Sequence, residues 1–385
     1  MWEGSFVRSL RLLAGFDPLL VALHCPGAVA GGLPVGSPRR GGLSPPPRLW
    51  TWNGHDYEVV DRDVEPAGWA QLLYAGPYES TVTQIAGGLP TSGLSCESVV
   101  ADMLDSLVLE PGHTTLELGT ATGRNARLLA AQAGPGRVVS VEYDSQLAAA
   151  ATANLEVTGG GVKVRVGDGN VGAPEDGPYD RVISTYAVET VPWAWVEQTR
   201  PGGRIVMPWG RLGHVALTVA ADGQSAHGWV QGLATFMPSR GAEGPLWEQV
   251  RDGHPTAVET VFGLDLAALH ADHHAVFALR VIRPDIQVRT AAREHGVTAW
   301  VHDGRSSWAL VEYDGRGPAV AQQGGPRCLA DELTSGWREW QQAGAPELWD
   351  FGMTRTPHTQ YMWAHDPETG PRWGRREPKA GDLAA

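Results

Sequence analysis

Residues 114–125, TTLELGTATGRN, constrain this chain more than any other stretch. Thr114, Thr115, Leu116 and Leu118 favour a short buried strand, and Gly119, Thr120, Ala121, Thr122 and Gly123 follow as a tight loop that opens a helix. Backbone in such a loop can approach a ligand closely, but glycines there also serve merely to let a helix pack on a strand. The turn alone leaves both readings open. Strand, glycine turn and helix in this order are the start of a parallel, doubly wound α/β sheet.

Three further features point to a ligand. Glu117 lies two residues before the first glycine, at a strand end where a buried carboxylate is costly unless it meets a donor. Glu142 closes the next strand, RVVSVE, where a carboxylate can accept both hydroxyls of a ribose. Asp168 and Gly169 follow the strand-like VKVRV, and Asp168 can accept from the exocyclic amine of an adenine. The glycine turn contains no Lys or Arg for a phosphate and lacks the spacing of a dinucleotide binder. These features describe an adenosine site without a phosphate site. The ligand that fits is S-adenosylmethionine, held by Glu117, Gly119, Thr120, Gly123, Glu142, Asp168 and Gly169.

With these residues in place the chain resembles the class I methyltransferases, and within them the protein L-isoaspartyl methyltransferase group. Members carry a similar LExGTGxG turn and a GDG turn after the third strand. The resemblance implies a Rossmann-like core and a carboxylate as methyl acceptor. It also gives Ser95 a role. Members have a T-I-S-x-P segment at this distance before the glycine turn, with the serine near the substrate carboxylate, and Ser95 takes its position. From pattern alone, Ser95 or Ser98 is simply a helix N-cap ahead of Val99, Val100, Met103, Leu104 and Leu107, which recur at helical spacing, and it is the resemblance that shifts the weight. The chain departs from the repair enzymes at Cys96, Glu97 and Ser98, Glu97 standing where they have proline. Its PTSxxS segment, the stretch from Tyr179 to Gly210 and the added C-terminal region look like the peptide-maturation branch of the group. Those enzymes methylate an aspartate of a ribosomally made lanthipeptide or graspetide precursor, and the ester collapses to aspartimide or isoaspartate.

Composition agrees with a cytoplasmic enzyme. At 385 residues the chain can bury two cores, and a net charge of -13 disfavours nucleic acid. Three distant cysteines suggest reduced thiols, and no apolar run is long enough to span a membrane. Residues 1–47 read as a disordered or over-extended lead-in. LLAGFDPLLVALHCPGAVA also has the outline of a secretory signal, interrupted by Asp17 and Pro18.

The expected organisation is a flap and substrate loop over 48–96, a methyltransferase core over 97–210, complete near Gly210, and an α+β peptide-recognition region over 211–385. Tyr186 and Glu189, in the loop beyond the fourth strand, are candidates to face substrate together with Ser92 and Ser95. Packed tyrosine and solvated acid are the alternatives. HVALTVAA, HAVFALRVI, VTAWVHD and SSWALVEYD read as strands of the last region. His270, His273 and His274 fall at helical spacing that can present imidazoles to a metal, though no third ligand at zinc spacing follows and no metal is assigned. The tail aromatics, from Trp349 to Trp373, suit a peptide groove or ordinary core packing.

Three functions are expected in descending order. The first is methylation of an aspartate carboxylate in a modified precursor peptide; the second is isoaspartyl repair; the third is a non-catalytic peptide scaffold.

Overall fold

A computed structural model describes residues 44–376 apart from 211 and 243. The expected lead-in therefore lies almost wholly outside the described residues, as do Cys25 and the signal-like stretch. The described chain divides into two compact units, one of residues 44–187, 192–208 and 218–224, the other of 188–191, 209–217 and 225–376. The expected boundary at Gly210 is corrected, because the chain passes between the units several times before residue 225.

The first unit begins with an antiparallel sheet in the order β2-β1-β3-β4. Its strands are β1 (Arg48–Trp52), β2 (Tyr57–Asp61), β3 (Thr81–Ala86) and β4 (Leu89–Leu94), with helix α1 (Pro66–Leu73) between β2 and β3. The region expected as a flap and substrate loop thus contains a regular four-stranded sheet. Alternation explains it: Thr81 and Thr83 point inward along β3 and their neighbours do not. Then come α2 (Glu97–Leu107), β5 (Thr115–Leu118), α3 (Arg124–Ala133), β6 (Val138–Glu142), α4 (Ser145–Glu156), β7 (Lys163–Val166), β8 (Tyr179–Ser184), α5 (Trp193–Glu197) and β9 (Thr199–Trp209). The β strands of this run pair in parallel in the order β9-β8-β5-β6-β7. Every residue of β5 is buried, as a central strand covered on both faces requires. The chain leaves β5 toward β6 on one side while β8 lies on the other. Their carboxyl ends form the crevice where ligands of such sheets sit.

The second unit comprises β10 (Gly213–Val219), β11 (Ala226–Leu233), α6 (Trp247–Asp252), β12 (Thr256–Val261), α7 (Leu266–Ala271), α8 (His273–Ile282), β13 (Gln287–Arg293), β14 (Gly296–His302), β15 (Trp308–Tyr313), β16 (Val320–Gly324), α9 (Leu329–Gln342), β17 (Phe351–Arg355), β18 (Thr359–Ala364) and β19 (Arg372–Arg376). One antiparallel run is β11-β17-β18-β19. A five-stranded antiparallel sheet, β12-β16-β15-β14-β13, packs one face on α7, α8 and α9 through Val297, Val301, Val311, Leu266, Leu279 and Leu333. Each such buried side chain contributes about 1.5–3 kcal/mol.

Two expectations fail here for one reason. HAVFALRVI is not a strand but most of α8, and His270, His273 and His274 do not share a helix. Asp272 ends α7 and caps α8, its carboxylate accepting from the backbone N–H of His274 and Ala275. His270 turns to the Thr290 hydroxyl and His274 packs edge-on against Trp349. Three of the tail aromatics are core, Phe351, Trp363 and Trp373 being buried, with Trp363 edge-on to Trp229 at 4.4 Å, while Trp349 is exposed and Tyr361 half-buried. Cys96 and Cys328 are free thiols. No helix among the described residues is long and apolar enough to cross a membrane.

Candidate active site

The glycine turn is set by close contacts that only glycine permits. Gly119 sits at φ +97, and a Cβ there would lie 2.3 Å from the Thr185 hydroxyl oxygen. That hydroxyl donates to the carbonyl oxygens of Leu118 and Gly119, tying the end of β5 to the residue after β8. Gly123, at φ +83, begins α3 with Leu155 of α4 against it. Ala121 takes the left-handed region as well, at φ 47, without glycine's freedom. That conformation costs about 1 kcal/mol in an alanine.

Glu117 is corrected from ligand group to support. Its carboxylate is fully buried and accepts from Asn125 Nδ2 at 2.8 Å and from the Ser140 hydroxyl, so it braces the turn from beneath. Thr120, also buried, meets Ser140 at 2.6 Å. Burial pushes the Glu117 carboxyl up to about 7, against the pull of both donors and with Glu142 adding to the rise. A folded-state value above the unfolded 4.5 gives stability that is full below 4.5 and lost as pH rises through about 7. The melting temperature of the wild type relative to Glu117→Gln is accordingly expected to fall between those pH values. A pH-independent difference would show that Glu117 stays ionised in its pocket.

Glu142 stands at the carboxyl end of β6, nearly buried. Its Oε2 accepts from the Ala121 N–H at 2.8 Å and its Oε1 from the Asp144 N–H at 3.0 Å. Each oxygen keeps a second acceptor site for a ligand hydroxyl. Asp144 caps α4 and also accepts from Gln84 Nε2 of β3, whose Oε1 accepts from Thr91 of β4. The β3–β4 hairpin is thereby fastened to the rim at Glu142. The sequence reading missed Gln84 and Asp144, although an aspartate directly before SQLAAAA is a cap signal.

Beyond β7, Asp168 is exposed, with Oδ1 accepting from the Asn170 N–H and Oδ2 open. Gly169 is held by Trp195, whose indole N–H donates to its carbonyl at 2.8 Å. Tyr186 wedges between the two glycine turns: a Cβ on Gly169 would lie 2.5 Å from its hydroxyl, and one on Gly119 would lie 3.3 Å from its ring. Burial, with Asp168 and Glu142 nearby, raises its phenol well above the ordinary value. Tyr186 therefore walls the crevice between Glu142 and Asp168.

The other substrate candidates separate. Ser92 is buried and accepts from the Thr83 hydroxyl inside the hairpin, so it is turned away from the crevice. Glu189 belongs to the second unit, where both its oxygens accept from Arg280 Nη2 at 2.7 and 2.6 Å and its carbonyl accepts from Trp209 and Gln360. It is committed to Arg280 rather than free for substrate. Ser95 lies between β4 and α2, half-buried, and makes no hydrogen bond with the described residues. It is not the cap: Cys96 holds that position without a side-chain bond to the helix backbone, its Sγ meeting the Ser98 hydroxyl at 3.5 Å. Glu97, in the first turn of α2, pairs with Arg124 of α3 at 2.6 Å, linking the end of this loop to the glycine-turn helix.

A family model described as Protein-L-isoaspartate(D-aspartate) O-methyltransferase (PCMT) matches residues 60–234. The protein-L-isoaspartate O-methyltransferase of Methanopyrus kandleri is 37% identical over 156 residues, which cover 39% of this chain and 69% of that one. That of Staphylothermus marinus is 40% identical over 161 residues, covering 39% and 72%. A solved protein-L-isoaspartate O-methyltransferase aligns over 92% of this chain and 96% of its own at 20% identity, with a TM-score of 0.46. Fold and relatives together define an S-adenosylmethionine-dependent methyltransferase of class I. The chain belongs to the protein-L-isoaspartate O-methyltransferase family.

Proposed function

We propose that this protein methylates the free carboxylate of isoaspartyl residues in polypeptides, using the crevice at the carboxyl ends of β5, β6 and β7 for the donor. The observation that carries this reading is the acidic, phosphate-free rim of that crevice, Glu142 and Asp168 around Tyr186, in a chain of this family. Glu142 accepts from the ribose hydroxyls, the open oxygen of Asp168 accepts from the adenine amine, and Gly119 and Gly169 let the backbone come close. The acidic rim also suits a cationic sulfonium.

The donor, when bound, supplies an electrophilic methyl whose bond to sulfur breaks as a carboxylate oxygen bonds to its carbon. An isoaspartyl carboxylate is ionised at neutral pH, so no general base is required. The work left to the chain is alignment and removal of water. Ser95 performs the first part, donating its otherwise unused hydroxyl to the acceptor carboxylate. Ser95→Ala is expected to lower kcat about tenfold, the value of one hydrogen bond to a charged group, with donor affinity and melting temperature nearly unchanged. Unchanged kcat, or a loss of stability in place of activity, would remove Ser95 from the reaction.

The peptide-maturation reading rests on the chain's departures around Ser95 and on its second unit. The family comparisons support isoaspartyl methylation better, since the relatives are isoaspartyl methyltransferases. Mass spectrometry of a synthetic isoaspartyl peptide incubated with enzyme and donor tests the choice. Gain of one methyl, followed by loss of methanol as the neighbouring backbone nitrogen closes a succinimide, is the expected course. No gain on such peptides, with modification of a cyclised precursor instead, would favour maturation.

A further inference from the structure

The five-stranded sheet of the second unit buries one face under α7, α8 and α9, and its other face carries an unusual charge. Trp300 of β14 and Trp308 and Leu310 of β15 point to that second face, as their pairing Trp300↔Leu310 and His302↔Trp308 requires. Short α6 sets Trp247 and Val250 on Trp308, with half-buried Trp300 and Leu310 packed against the same cluster, and Trp247 meets Trp308 edge-on at 5.7 Å. Around it lie three exposed arginines. Arg289 and Arg293 of β13 stack over Trp300, at 4.9 and 5.0 Å from the ring centre, and Arg251 lies 5.4 Å from Trp247 and 5.8 Å from Trp308. None of the three enters an ion pair among the described residues. Arg293 donates only to the Thr298 hydroxyl, and Glu312, opposite Thr298, is the acid on this face nearest to it in register.

Three such guanidiniums gathered on one face form a local cationic patch in a chain that has 43 acidic against 30 basic side chains. Several arginines elsewhere in this unit are spent on carboxylates, Arg280 on Glu189, Arg283 on Glu339, and Arg327 on Asp285 and Glu332, whereas these three are not. Arg289 and Arg293 are four residues apart on a strand, about 13 Å between Cα atoms, yet converge on one indole. Contact with the indole holds both guanidiniums at this face, and guanidinium N–H groups are suited to receive carboxylates in pairs. β13 is also an edge strand, with open backbone beside these side chains.

We propose that this face, Arg289 and Arg293 over Trp300 with Arg251 over Trp247 and Trp308, is a docking surface for an acidic, extended segment of a polypeptide. Charge complementarity selects the occupant. A net charge of -13 repels the long phosphate backbone of a nucleic acid, whereas a short acidic segment meets only the local cations. That the segment belongs to a methyl-accepting protein rests on the function proposed above; the binding itself does not. Substrates with acidic sequence flanking the damaged residue would then be favoured.

The test is fluorescence anisotropy of full-length protein, without donor, with a labelled octapeptide of alternating Glu and Gly, its Lys counterpart and decathymidylate. Binding of the Glu peptide alone is expected, weakening with salt and falling about tenfold or more in Arg289→Gln/Arg293→Gln, which keeps most of the apolar stems. No binding of the Glu peptide, equal binding by the folded double variant, or preference for decathymidylate would overturn the proposal. Methylation of isoaspartyl peptides with acidic and neutral flanks then separates the two claims. Loss of the acidic preference in the double variant supports docking of substrate here, whereas absent methylation with intact peptide binding fails the proposed function and leaves this surface standing.

Discussion

Gly119→Ala is expected to destabilise the protein by about 2–4 kcal/mol and to abolish donor binding at ordinary concentrations. Two independent costs add. A side chain at φ +97 costs about 1 kcal/mol or more, and a Cβ placed 2.3 Å from the Thr185 oxygen forces a displacement costing a further 1–3 kcal/mol. Thr185 cannot simply rotate away, because its hydroxyl holds the carbonyls of Leu118 and Gly119. Denaturant unfolding and calorimetry on the same variant check both parts. A variant as stable as wild type and still saturable with donor would show that the turn is not the rigid element described above.

Glu142→Ala is expected to weaken S-adenosylmethionine by about 10–100-fold, equivalent to about 1–3 kcal/mol for charge-assisted hydrogen bonds to the ribose. Part of the loss is indirect. The same carboxylate accepts from Ala121 and Asp144, so its removal also frees a turn in which Ala121 is held at a costly φ. Glu142→Gln separates the contributions: a neutral amide still offers one acceptor and fits the space, but loses the charge. Calorimetry giving wild-type affinity for a folded Glu142→Ala protein would refute the ribose assignment.

Much of the crevice at the strand ends was legible because its elements are local. Strand ends, glycine turns and acids at fixed distances from them are written contiguously, and Glu142, Asp168, Gly119 and Gly169 lie together around Tyr186 as their spacing implied. What failed depended on direction or on distant partners. Glu117 carries an acid at a promising distance, yet its side chain points beneath the turn to Ser140 and Asn125. Ser92 falls on the inward register of β4, which a stretch as short as LPTSGL does not reveal. Glu189 has a partner 91 residues away in Arg280. HAVFALRVI, nearly all apolar, satisfies strand and helix periods alike, and the Asp272 cap that decides between them was read as part of a histidine cluster. The arginine–tryptophan face was invisible for a similar reason: Arg289 and Trp300 meet only through the register of β13 and β14.

The central claim, a carboxylate methyltransferase selective for isoaspartate, is tested most directly by tritium transfer from methyl-labelled S-adenosylmethionine to two matched peptides, one with isoaspartate and one with aspartate at the same position. Base-labile radioactivity on the isoaspartyl peptide, with kcat/KM at least about a hundredfold above the aspartyl one, is the predicted result, since a misplaced carboxylate shifts the reacting oxygen by more than the tolerance of an aligned transfer. Equal labelling of both peptides, or labelling of the aspartyl peptide alone, would contradict it.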